Sequence, residues 1–139
     1  MFLLSVIEHI ETAGIATFED DMFGSEYPST APDECVLVRD SGGPPPSKEL
    51  PVEVHLVQFL CRALDYPTAI NKAWQIFKLF HGKVSTGKWQ PLHNFIIGTT
   101  DQYYVFTSSA LQMPSDISPD EKGRSEVSFN ISFKIRLGS

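Results

Sequence analysis

The chain has 139 residues, 42% of them hydrophobic and ten of them Phe. That is enough apolar mass for one packed core, at a length typical of one domain. The formal charge of −6 argues against broad binding to a phosphate backbone, and no apolar run approaches the ~20 residues of a membrane span.

In chain order, Phe2, Leu3, Val6, Ile7 and Ile10 form a narrow apolar stripe at helical spacing, so residues 1–13 read as an amphipathic helix. Gly14 is its expected C-cap. The apolar start lacks a basic segment and is interrupted by Glu8 and Glu11, so no signal peptide is expected. Ile15 to Thr17 runs extended into Glu19-Asp20-Asp21, and Phe23 to Asp33, with Pro28 and Pro32, reads as an irregular connection. Cys35 to Arg39 is a short apolar strand of central character. Residues 40–49 hold Gly42, Gly43, Pro44, Pro45 and Pro46, the composition of a loop projecting between neighbouring strands.

Pro51 to Gly82 carries the organising unit, a strand that hands over to a helix. Val52, Val54 and Leu56 alternate with polar residues; then Val57, Phe59 and Cys61 share the other phase. A β-bulge or strong twist near Val57 is the expected cause. Asp65-Tyr66-Pro67-Thr68 starts a helix over 66–81, with Pro in the first turn. Its apolar face is Ile70, Ala73, Trp74, Phe77 and Phe80, and Gly82 stands at a left-handed C-cap position. Cys35 and Cys61 lie in apolar runs and read as buried thiols of a reducing compartment.

Leu92 to Gly98 and Gln102 to Ser108 form an expected hairpin around Gly98-Thr99-Thr100-Asp101. Leu111 to Gly123, with Pro114 and Pro119, reads as irregular. In 126–137 every odd position is apolar and every even one polar, which predicts a long antiparallel strand with one wet face. The fold expected is α+β in a single domain, 1–139: a mostly antiparallel sheet of about five strands with two helices packed on one face.

Catalytic chemistry has no foothold. His9, His55, His81 and His93 show no metal-ligand spacing, and no GxSxG, P-loop or GxGxxG motif occurs; no cofactor, metal or catalytic residue is assigned. Trp74 and Phe77 read as core. Trp89, beside Lys88, has two readings: a partner anchor or a lid over the core.

Charge is unevenly placed. Met1 to Val38 holds eight acids, including Glu19, Asp20 and Asp21, and no Lys or Arg. Lys122 to Arg136 holds Lys122, Arg124, Lys134 and Arg136 against Glu126 alone. Such a split has two readings: charges that merely solvate two faces of the molecule, or a head-to-tail interface between copies of the chain.

Several strings now converge: Gly14-Ile15-Ala16-Thr17, an acidic segment with prolines, the Cys35-Val36-Leu37-Val38 strand, the Gly42 to Pro46 loop, a strand leading to Arg62, and the Asp65-Tyr66-Pro67-Thr68-Ala69 helix start. This order resembles the tail-terminator and minor capsid proteins of long-tailed bacteriophages, which join head to tail. The resemblance implies a small α/β subunit with no catalytic residues. It implies a homo-oligomeric ring, usually a hexamer, that caps the tail tube and meets the neck or head-completion protein, with DNA passing through its lumen. Assembly in the host cytoplasm, a place in the virion tail and neck, and no membrane contact follow from it. The Gly42 to Pro46 loop and Trp89 are then candidate partner contacts. The competing expectation is a small ligand-binding module or enzyme with a pocket between sheet and helices, holding groups such as His55 or Tyr104.

Overall fold

A computed structural model describes residues 2–45, 51–82, 86–99, 101–117 and 119–136. Of the expected elements, residues 1, 46–49, 100 and 137 lie outside them. The elements in order are α1 (Phe2–Thr12), β1 (Met22–Gly24), β2 (Cys35–Asp40), β3 (Val52–Ala63), α2 (Tyr66–Phe80), β4 (Leu92–Ile97), β5 (Tyr103–Ala110), β6 (Ser115–Ile117) and β7 (Ser125–Arg136).

β3 and β7 form the frame. They pair antiparallel over twelve residues each, from Val52 opposite Arg136 to Ala63 opposite Ser125, without a break in register. At about 3.3 Å per residue the ladder runs about 40 Å. The sheet order is β1-β2-β3-β7-β5-β4, with β6 also pairing to β7. Only β1–β2 is parallel; the other pairings are antiparallel.

Strict alternation in β7 decides which face is buried. Val127, Phe129, Ile131 and Phe133 are fully buried and Ile135 nearly so. Their partners on β3 and β2 with the same orientation are Val57, Phe59, Cys61, Val36 and Val38. Both helices lie on this face, because their buried residues join the same cluster. Phe59 stands opposite Phe129, with ring centroids 5.2 Å apart and nearly parallel. Phe80 stacks on Phe59 at 5.7 Å and meets Phe133 edge-on at 5.1 Å. Each such pair adds roughly 0.5–1.5 kcal/mol beyond its buried area.

Local chemistry sets the helix ends. Asp65 caps α2 with extended backbone, its carboxylate accepting from Thr68 N at 3.2 Å and Thr68 Oγ1 at 2.9 Å. Pro67 occupies the first turn, where no donor is lost. Gly14 ends α1 as expected: at φ +77 it donates to the Glu11 carbonyl while Ile15 donates back to Ile10, the paired bonds of a Schellman cap. The hairpin tip between β4 and β5 is tied to α1. Ser5 Oγ donates to the Asp101 carbonyl at 2.7 Å, and Glu8 accepts from Thr99 N and Oγ1.

Three expectations need correction. The sheet has seven strands rather than about five; β1 and β6 have three residues each, too few to show a period. β3 carries no bulge at Val57. Leu56 and Val57 are adjacent apolar residues because both faces of the sheet carry apolar groups there. The irregularity lies instead in β5, where the register against β7 shifts between Val105 and Thr107. Across from it, Asn94 of β4 takes φ +57. Finally, Gly82 is not left-handed; His81 closes α2 by donating to Phe77 O. Gly82 is needed for space, since a Cβ there would sit 2.9 Å from Leu92 Cδ2.

Replacing Phe129 removes the ring that Phe59 and Phe77 both contact. Phe129→Ala is expected to cost about 3–5 kcal/mol, read as a lowered urea midpoint with an unchanged slope.

Candidate functional site

The acidic corner is built at the sheet's β1 edge. Thr17 O accepts from the N–H groups of Asp20, Asp21 and Met22, which folds Glu19 to Asp21 into a tight turn. Asp21 Oδ1 accepts from Thr17 N at 2.7 Å, and Glu11 Oε2 accepts from Phe18 N at 2.9 Å. Those two carboxylates therefore hold the turn, whereas Glu19, Asp20 and Glu26 are exposed. They rim an open cavity of about 650 Å³ whose apolar wall includes Leu3, Leu4, Phe23 and Tyr27.

The four basic residues of the C-terminal stretch do not form one patch. Arg124 is held within the subunit: Nε meets Asp120 Oδ2 at 2.6 Å and Nη1 meets Asp33 Oδ1 at 3.2 Å. Lys122 is exposed in the same turn, before β7 begins. Lys134 and Arg136 are exposed near the other end of β7, beside the start of β3. The charge split read along the chain thus becomes, in space, an acidic corner and a separate basic strand end.

Arg62 has a structural post. Its guanidinium lies 4.3 Å from the Tyr27 ring centroid and donates to the carbonyls of Pro32 (2.7 Å) and Asp33 (3.3 Å). This pins the 27–33 segment onto the helix-free face of the sheet. Underneath, Phe23, Cys35, Leu37 and Leu60 form a second small core with Tyr27 and Ala31.

That cover extends over only part of the face. Beyond it, Val54 and Leu56 of β3 are half-buried, Tyr104 and Phe106 of β5 pack edge to face at 5.1 Å, and Ile96 of β4 is 56% exposed. The cations on this open part are Arg39, Lys134 and Arg136, all exposed and, among the described residues, in no ion pair. Its strand positions carry no carboxylate among the described residues. Charge along the chain did not reveal this surface. The signal for it was the apolar phase of Val52, Val54 and Leu56, set against that of Val57, Phe59 and Cys61.

The Gly/Pro loop begins close to the body. Ser41 N donates to Leu56 O and Leu56 N to Gly42 O, both at 2.7 Å, so the β2–β3 ladder continues through Gly42. Gly43 lies against the Val54 carbonyl, where a Cβ has no room. Pro44 and Pro45 are exposed. Trp89 takes the lid position: 37% exposed, it lies 5.6 Å from Trp74 and meets Phe77 edge-on at 5.3 Å.

The histidines are dispersed. His9 packs between Phe80 and Phe95, and burial lowers its pKa. His81 Nδ1 accepts from Ala110 N at 3.1 Å, with its pKa likewise lowered by burial. His55 pairs with Glu53 at 2.8 Å and packs on Phe2. His93 is exposed on β4. Among the described residues no three of His, Cys, Asp and Glu could hold a metal ion, and no helix is long and apolar enough to cross a membrane. Tyr104 lies on the face away from the helices, so it lines no space between sheet and helices.

Cys35 and Cys61 are free and buried, on opposite faces of neighbouring strands. Burial raises both thiols, Cys61 to about 12 from 9.0. With the folded pKa raised, the folded state keeps its proton where the unfolded thiol has lost it. Stability should therefore decline as pH rises from about 9 toward about 12, and Cys61→Ala should flatten that decline in urea midpoints taken across the range. Neither thiol should react with a thiol reagent until the protein is unfolded.

Comparison with known proteins completes the site. A family model described as bacteriophage tail terminator protein matches residues 9–137, from inside α1 through the whole sheet. No curated protein matches the chain. With nearly the full fold covered, the chain belongs to the bacteriophage tail terminator protein family and is a structural protein of the phage tail.

Proposed function

We propose that the chain is the ring-forming subunit that ends the tail tube. Copies join head to tail, six in the usual form, and the ring stops tube growth and presents its other surface to the neck protein. DNA passes through the lumen without specific contacts, in keeping with a net charge of −6. Rings assemble in the host cytoplasm and remain in the virion. The observation that carries this reading is the family match across residues 9–137.

The side-chain chemistry supports it. The histidines and cysteines that an enzyme would use are dispersed or buried against apolar neighbours. Among the exposed charges, by contrast, an acidic corner and a basic strand end stand apart from each other. Surfaces of that kind join unlike patches on neighbouring copies, and such joints close into rings when the rotation between copies permits.

Solution mass, measured across concentration at low and high salt and with or without purified tail tubes, tests the reading. A multi-subunit mass is expected, either alone or on tubes. It should weaken at 1 M salt, where the screening length falls to about 3 Å. A chain that stays monomeric under every condition, tubes included, would overturn it.

A further inference from the structure

We propose that the open part of the helix-free sheet face is the surface on which one subunit receives the next, and that its occupant is the acidic corner of a second copy of this chain. The proposal rests on the ring reading above and names the joint that ring would use.

The sheet itself shows what the face lacks. Where the 27–33 segment lies over it, Leu37 and Leu60 are buried. Past that cover Tyr104, Phe106 and Ile96 are left in contact with solvent, although aromatic and β-branched groups on a sheet face are the ones that gain most from being covered.

Charge selects the occupant. The open face offers Lys134 and Arg136, with no ion pair of their own and no carboxylate beside them among the described residues. The stretch from Met1 to Val38 offers only acids, and Glu19, Asp20 and Glu26 stand exposed around a cavity with apolar walls. The two surfaces therefore match in both properties, apolar ground and opposite sign.

Geometry excludes self-pairing. The acidic corner lies at the β1 edge, three strands from β7, roughly 14 Å at ordinary strand spacing. Glu19 and Asp20 also lie toward the end where β7 starts, and Arg136 ends it. One molecule cannot bring its two surfaces together, so the match can be made only between copies. Each copy then gives one surface and receives on the other, the arrangement that propagates head to tail.

The test uses two charge-reversed full-length chains, Lys134→Glu/Arg136→Glu and Glu19→Lys/Asp20→Lys. All four positions are exposed, and circular dichroism checks that both variants fold. Each variant alone faces like charge at every joint, so its assembly, measured by solution mass alone and on tail tubes, should fall at least tenfold. Mixed one to one, every alternating joint regains opposite charge, and assembly should return toward the wild-type level. Variants that assemble like the wild type would overturn this joint and leave the ring reading standing. A wild-type chain that never assembles would overturn both. Unchanged assembly with lost retention of a short DNA duplex by the Lys134/Arg136 variant would assign the face to DNA and overturn the proposal.

Discussion

Everything in this fold hangs on one ladder, the unbroken twelve-residue pairing of β3 with β7. Its register puts Phe59 opposite Phe129 and Val57 opposite Ile131, so one face of the two strands is apolar through its middle, with Glu53 and His55 of β3 at one end. A one-residue slip would send that whole set to the other face. The two helices cover the apolar face, and the remaining strands extend the sheet outward from it. α1 then reaches across to the hairpin tip through Ser5 and Glu8, which fixes the far edge of the sheet to the same core.

The same ladder explains why the second face became a surface. Polar residues alternate with the core residues along β7, but β3 is apolar on both sides, through Val54, Leu56 and Leu60. Part of that second face is covered by the 27–33 segment, held by Arg62 stacked on Tyr27 and bonded to two carbonyls. The rest, with Tyr104, Phe106 and Lys134, is uncovered. An uncovered face with charges of one sign fits the head-to-tail joint proposed above.

Much of this was legible in the residues. The alternation of Val127 to Ile135 foretold both a strand and its buried side. Asp65 and Pro67 foretold the start of α2, and Gly14 the end of α1. The missing parts share a cause, which is that distant chain segments decide them. Arg124 looked like a free interface charge, yet it is paired with Asp33, 91 residues away. β1 joins the sheet only because β2 offers it a parallel edge, and its three residues in an acidic stretch carry no periodic signal. Gly82 looked like a cap, and its smallness instead serves the close approach of Leu92. The phase change at Val57 is plain in the sequence, but of the two causes it suggests, a bulge or a strong twist, the bulge is absent, and two apolar faces account for it.

In the proposed ring, assembly covers the open sheet face. Hydroxyl-radical footprinting of the side chains, with the protein free and then assembled, reads this directly. Tyr104 and Phe106 should lose reactivity on assembly, together with groups beside the acidic corner such as Leu4. Full reactivity of Tyr104 and Phe106 in a protein shown by its mass to be assembled would contradict the account.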